Sequence, residues 1–178
     1  ASVIMRITPQ INIAVMLAAS LCVPVIFIPR SMALIGNIVL FLYLLALAKF
    51  FMALSGLDAA SAFGGMGSSR EMALSAAFEP VILIVFAALA FVLKTTDIHR
   101  MFAQSGDALL MLKHPSLCLT ALSLFIIVIV ETARIPMDNP ETHLELTMVH
   151  EAMILEQSGR NLALMEWSHA IKQTLLMA

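Results

Sequence analysis

Hydrophobic residues are concentrated in four long stretches of the chain, separated by charged or turn-forming residues. A hydrocarbon layer of about 30 Å takes about 20 helical residues to cross, so each stretch is predicted to form a transmembrane helix. The fourth stretch is the shortest, but it ends at Glu131, which can lie at an interface or inside protein. The predicted spans are residues 11–29, 32–54, 72–93 and 115–130.

A fifth helix is predicted over residues 161–178, because apolar and polar side chains there fall on separate helical stripes. The apolar stripe consists of Leu164, Trp167, Ile171 and Leu175. The pattern stops without an end signal, and the chain starts without an initiator methionine, so we expect a partial chain. The predicted fold class is an all-α, polytopic transmembrane bundle that forms one membrane domain over residues 1–178.

The composition excludes an ordinary soluble enzyme. Hydrophobic residues make up 61% of the 178 positions and charged residues only 12%, whereas a soluble domain has about 25% charged residues. The net charge of -2 leaves no basic surface for phosphates, so no nucleic-acid partner is expected. Cys22 and Cys118 are far apart in the sequence and form no metal-binding pair, so no metal and no cofactor is expected in this chain.

The connections between the spans carry two further patterns. Lys and Arg residues are divided equally between the two sides, so the positive-inside rule gives no orientation. The segment from Gly56 to Glu71 is predicted to be a loop whose glycines serve tight turns at a helix junction, since it lacks the pattern of a phosphate-binding loop.

Two charged residues lie inside predicted spans. Glu79 is followed by Pro80, which removes a backbone donor, and an acid within the membrane is by default a functional hypothesis. Lys49 lies about two turns from the end of its span. It can extend to the headgroups or pair with Asp58 beyond the span, so a functional and a structural role both stay open.

Half of the acidic residues fall between positions 131 and 160. The order Asn139-Pro140-Glu141 is typical of the start of a helix, and Gly159 is typical of the end of one. An acidic, amphipathic loop helix is therefore predicted between these positions. The alternative is a solvated acidic loop. A zinc site is not expected, since His150-Glu151 lacks a second histidine at Ile154. The acidic residues are Glu131, Asp138, Glu141, Glu145, Glu151 and Glu156.

This segment resembles that of the family of complex I membrane anchor subunits, and the resemblance covers essentially the whole chain. It is similar in particular to the corresponding subunit of energy-converting [NiFe] hydrogenases of the hydrogenase-4 and formate hydrogenlyase type. Met137 and Gln157 stand where the complex I family has Phe and Tyr, which puts quinone binding in doubt. The motif is Glu131-Thr-Ala-Arg134-Ile-Pro136-Met-Asp138-Asn-Pro140-Glu141, then Glu145-Leu146 and Glu156-Gln-Ser158-Gly159.

The resemblance implies a subunit of the prokaryotic cytoplasmic membrane that couples electron transfer in a peripheral arm to translocation of protons or sodium ions. The acidic loop would face the cytoplasm, and Arg134 and Lys49 would be charge partners. The implied partners are peripheral subunits that hold the [NiFe] centre and iron–sulfur clusters, antiporter-like membrane subunits and the lipid bilayer. The implied proton relay is Glu79, Glu131, Asp138, Glu141, Glu145, Glu151 and Glu156, of which all but Glu151 match acids of the family.

Three other interpretations remain open from the sequence. The chain could be a complex I subunit at the quinone site, a passive anchor whose acidic loop only docks a peripheral subunit, or a transporter that works alone. In the coupling interpretation the chain is itself a non-catalytic subunit of an oxidoreductase complex of the hydrogenase or NADH:quinone oxidoreductase type. Changing carboxylates to amides distinguishes an active relay from a passive anchor, because a passive anchor would lose assembly alone.

Overall fold

A computed structural model describes residues 3–23, 36–105, 115–132, 153–154 and 157–177 of the chain. These residues form six helices and, within the described ranges, no strand. The helices are α1 (Val3–Cys22), α2 (Ile38–Asp58), α3 (Ala62–Leu93), α4 (Ile98–Ser105), α5 (Pro115–Glu131) and α6 (Arg160–Met177).

Among the described helices, α1, α2 and α3 are long and apolar enough to cross a membrane. Helix α5 is also apolar, and its 17 residues reach about 25 Å. Many large apolar side chains on these helices point away from the bundle, as Phe91 does with 85% of its surface exposed. The predicted all-α membrane bundle is therefore confirmed.

Helix α1 packs against α2 and α6, α3 packs against α2, and α5 packs against α3. The main apolar core lies where α1, α2 and α4 meet, around Met16, Ala19 and Phe41. A smaller cluster of Ile82, Val85 and Ile127 joins α3 to α5. This arrangement places the C-terminal end of α5 beside the middle of α2.

Several helix limits differ from the predicted spans. Helix α1 begins at Val3 rather than at residue 11, with Pro9 inside it. Helix α2 begins at Ile38 rather than at residue 32, because the Asn37 side chain caps it by accepting a hydrogen bond from Val39 N at 3.0 Å. Helix α4 was not predicted, and its Ile98 N donates to Gly36 O at 2.8 Å, which ties it to the start of α2.

The predicted glycine-rich loop at residues 56–71 is wrong. Helix α2 continues to Asp58 and α3 begins at Ala62, so only three residues connect them. Ser61 caps α3 by accepting a hydrogen bond from Gly64 N at 3.0 Å. Gly56 and Gly64 lie inside the helices at the point where the two backbones cross closely: a Cβ on Gly64 would lie 2.6 Å from Gly56 O. Small residues at such crossings are typical of membrane helix pairs.

Gly64→Ala is expected to lower the free energy of unfolding by about 1–3 kcal/mol, as overpacking of a close contact does. The backbone of Gly56 is the obstacle, so a rotamer change cannot relieve the clash. Gly65→Ala is the matched control, since a Cβ there meets nothing within 4 Å, and alanine is the better helix former by about 1 kcal/mol. Thermal unfolding of both variants in detergent measures the difference. Equal midpoints would show that α2 and α3 do not cross at Gly64.

Candidate functional site

A buried carboxylate lies between two lysines at the centre of the described bundle. Glu131, the last residue of α5, places Oε1 2.5 Å from Lys49 Nζ on α2 and Oε2 2.9 Å from Lys172 Nζ on α6. The side chains are 6%, 14% and 13% exposed, respectively. We call Glu131, Lys49 and Lys172 the ion triad.

The local sequence explains how the three side chains meet. Thr132 ends α5 by donating its hydroxyl to Val128 O at 2.7 Å, which fixes the turn that carries Glu131. Lys49 lies in the middle of α2, and Lys172 lies four residues after the buried Ser168 of α6. Because α1 packs against both α2 and α6, the two lysines approach the same carboxylate from different helices.

The ion triad has one negative and two positive groups when all three are ionised. Removing such groups from water costs several kcal/mol per ion, and close opposite charges offset much of that cost. The Glu131 carboxylate therefore allows two buried ammonium groups to lie close to each other. Binding or release of a proton at such a site changes its net charge.

Two cavities adjoin the ion triad. The smaller one has a volume of about 70 Å³ and is called the polar cavity because charged and polar side chains line it together with apolar ones. Its polar lining includes all three members of the ion triad and Asn12, Glu71, Ser75 and His169. An apolar cavity of about 340 Å³ lies among α2, α3, α5 and the end of α6, and Lys49, Glu79 and Glu131 are the charged residues of its described lining. Lys49 and Glu131 line both cavities, so the ion triad lies between them.

Glu79 reaches the apolar cavity from α3 and is half-buried. Helix α3 continues through Pro80, the next residue. Proline lacks the N–H that would bond back one turn earlier, which leaves a backbone carbonyl without its usual partner near this carboxylate. Within the described parts of the chain, Glu79 forms no ion pair. Glu131, by contrast, pairs with two lysines.

A family model described as NADH dehydrogenase matches residues 1–178, the whole chain. The chain belongs to the NADH dehydrogenase family. The predicted resemblance to a membrane subunit of complex I and its hydrogenase relatives is therefore confirmed.

Two curated relatives of this NADH dehydrogenase family member come from Escherichia coli (strain K12). Formate hydrogenlyase subunit 4 is 32% identical over 98% of this chain and 55% of its own length. Hydrogenase-4 component C is 33% identical over 96% of this chain and 53% of its own length. The chain thus spans about half the length of each of these relatives.

The structure brings three of the sequence-predicted site residues together: Lys49, Glu79 and Glu131 all line the apolar cavity. Lys49 pairs with Glu131, and not with Asp58 or the headgroups as expected. The other predicted positions lie outside the described residues, as does most of the loop helix predicted to carry them, and their roles stay predictions. These positions are Arg134, Asp138, Glu141, Glu145, Glu151 and Glu156.

Sequence reasoning missed Lys172. The apolar stripe of the fifth helix drew attention to Trp167, but Trp167 is 67% exposed, whereas Met165 and Ser168 are buried. Lys172 follows Met165 by seven positions and therefore shares its face, which is the signal that could have found it. In a membrane the apolar face of a helix can point to lipid. A charged residue such as this lysine then lies on the opposite face, which is buried in the protein.

Gln157 has a structural contact in the described chain. Its side-chain Nε2 donates to Met5 O of α1 at 3.2 Å, and the residue is 6% exposed. This bond ties the segment before α6 to the first turn of α1. The position where the complex I family has Tyr is therefore used here to join two parts of the bundle.

Proposed function

We propose that this chain is the membrane subunit of a complex I-like, energy-converting hydrogenase, in which it couples electron transfer in a peripheral arm to proton translocation. The observation that carries the proposal is the ion triad, placed between a polar and an apolar cavity. Charged groups this deep in a membrane bundle are expensive and typically mark an ion pathway. The names of the two relatives support the hydrogenase assignment.

In this proposal Glu131 passes a proton between the two cavities while the lysines adjust to its charge. Glu79 is the next acceptor, since it lines the same apolar cavity as Glu131. When Glu131 is protonated, the two ammonium groups lose their shared counter-ion and repel each other, so the cost of the charge imbalance favours release of the proton. Arg134 and the acids from Asp138 to Glu156 would extend the relay towards the peripheral arm.

The proposed setting is the cytoplasmic membrane of a prokaryote, with the acidic loop facing the cytoplasm. The proposed partners are peripheral subunits that hold the [NiFe] centre and iron–sulfur clusters, and antiporter-like membrane subunits. Hydrogen chemistry is assigned to those partners. Such centres need sulfur and nitrogen ligands in the right number and geometry. The two cysteines of this chain do not supply that set of ligands.

Glu79→Gln tests the coupling role. We expect the complex to assemble and to oxidise or evolve hydrogen, but with fewer protons translocated per electron, because the amide keeps the shape and cannot carry a proton. Proton uptake by vesicles that contain the complex, divided by hydrogen turnover, gives the ratio.

Glu166→Gln is the matched control, since Glu166 is an exposed residue of α6 and lines neither cavity. A Glu79→Gln complex that assembles and keeps the ratio of the parent would contradict the relay. Loss of assembly in Glu79→Gln with a normal ratio in whatever complex forms would favour the passive anchor.

The isolated subunit is expected to bind no nickel, iron or zinc in stoichiometric amount and to show no hydrogenase or quinone reductase activity. The intact assembly is expected to show hydrogenase activity, because the redox centres are proposed to belong to the partners. Elemental analysis and activity assays of both preparations make the comparison. Metal in the purified subunit, or turnover by the subunit alone, would show that the chemistry is misplaced.

A further inference from the structure

The polar cavity contains buried polar atoms that the ion triad does not satisfy. Asn12 Oδ1 and Ser75 Oγ belong to residues that line the cavity, and neither atom has a hydrogen-bond partner among the described residues. Asn12 is 3% exposed and Ser75 is 6% exposed. Leaving such an atom unpaired costs about 1–3 kcal/mol, so a folded protein normally supplies a partner.

The other polar atoms of the cavity are also incompletely used. Asn12 Nδ2 donates to Met165 Sδ at 3.5 Å, and a thioether sulfur is only a weak acceptor. Glu131 Oε2 also lacks a hydrogen-bond partner among the described residues, although Lys172 Nζ lies 2.9 Å from it. Both lysines of the ion triad line the cavity, and an ammonium group has three N–H donors. The cavity therefore offers acceptors at Asn12 and Glu131, spare donors on the two lysines, and the Ser75 hydroxyl, which can both donate and accept.

The chemistry of these groups selects the ligand. An anion is disfavoured because it cannot donate to Asn12 Oδ1 or Glu131 Oε2, and because it would lie beside the carboxylates of Glu131 and Glu71 in the same lining. A sodium ion is disfavoured because Glu131 already faces two ammonium groups, so a third cation beside it is repelled. A water molecule can donate to both acceptors and accept from Ser75, which gives it the two to four polar partners that a buried water needs.

The size of the cavity agrees with the same ligand. Its volume is about 70 Å³, and a cavity needs roughly 10–15 Å³ to hold a water molecule. The cavity therefore has room for more than one water molecule.

We propose that the polar cavity is an ordered-water site, in which Asn12 and Ser75 position water molecules against Glu131. The two residues act through water, and are positioning residues for the carboxylate. A further consequence rests on the proposed function: this water would deliver a proton, and not a sodium ion, to the ion triad. The existence of the water site does not depend on the proposed function.

The test uses the assembled complex and a density map at a resolution that shows ordered water. We expect water density in contact with Ser75 Oγ and Glu131 in the parent protein, and its loss or displacement in Ser75→Ala and in Asn12→Leu. Ser123→Ala is the matched control, because the Ser123 hydroxyl is satisfied by its own helix, donating to Leu119 O at 2.9 Å, and does not line the cavity. Ser75→Ala is the decisive variant should Asn12→Leu fail to fold.

Proton flux per electron is measured on the same preparations. A several-fold lower flux in Ser75→Ala, together with lost water density, supports both the water site and its role. Lost density with unchanged flux leaves the water site standing and rejects the proposed function of Glu131. The water site is overturned if the parent protein shows no density there, or if both variants keep that density unchanged. It is also overturned if the density appears only when the buffer contains sodium in place of potassium.

Discussion

Glu131→Gln is expected to lower the free energy of unfolding by about 3–5 kcal/mol, the usual cost of removing one partner from a buried ion pair. The amide preserves the size of the side chain but leaves the ammonium groups of Lys49 and Lys172 facing each other without a counter-ion. Thermal unfolding of the purified chain in detergent, and the yield of assembled complex, measure the effect. Glu166→Gln makes the same change at an exposed position and should alter stability by no more than about 0.5 kcal/mol.

A triple variant separates charge from shape. Lys49→Met, Glu131→Gln and Lys172→Met together remove every ionised group of the ion triad while keeping side-chain volume similar. Replacing buried ions by apolar groups of similar volume is often neutral or stabilising, so the triple variant should recover most of the stability that Glu131→Gln loses. If Glu131→Gln unfolds at the temperature of Glu166→Gln, the carboxylate does not hold the two lysines together.

The largest effect on activity is expected for Lys49→Met. Lys49 lines both cavities, whereas Lys172 lines only the polar one, so Lys49 is the cation that follows the proton from one cavity to the other. We expect proton flux per electron to fall by roughly 100-fold, the low end of the contribution of a positioned proton-transfer group.

Lys172→Met is the matched comparison, because each variant removes one ammonium group and leaves a neutral pair with Glu131. Its flux should fall less than that of Lys49→Met. Vesicle assays on both assembled complexes, normalised to hydrogen turnover, give the two values. Equal losses would mean that the lysines act only through the total charge of the ion triad. A larger loss in Lys172→Met would contradict the assignment of Lys49 as the cation that follows the proton.

The glycine-rich segment shows where local sequence rules gave the wrong result. Glycine favours turns because it tolerates unusual backbone angles, and residues 56–71 were therefore predicted to be a loop. In the structure Gly56 and Gly64 are helical, and they are small because the α2 and α3 backbones approach each other there. The approach of two helices is a tertiary property, which neither helix encodes by itself.

The ion triad illustrates a second limit. Glu131 and Lys49 could be selected from the sequence because a charge in an apolar span is costly and needs a reason. Their pairing could not, since 82 positions separate them. Asn12 and Ser75 gave no sequence signal, because an isolated amide or hydroxyl in a helix is common and only its burial without a partner makes it unusual.

The amino-acid sequence was sufficient to assign the class of the protein, since long apolar stretches in lipid can satisfy their backbone hydrogen bonds only as helices. It also identified the family, through the motif that begins at Glu131, and singled out Lys49, Glu79 and Glu131 as charges at or within apolar helices. The packing of the helices was needed to establish which charges meet, which face of α6 is buried and where the cavities lie. These depend on how helices pack, and packing in a membrane is set by close contacts and polar pairing between distant segments, because apolar surface gains little there from being buried.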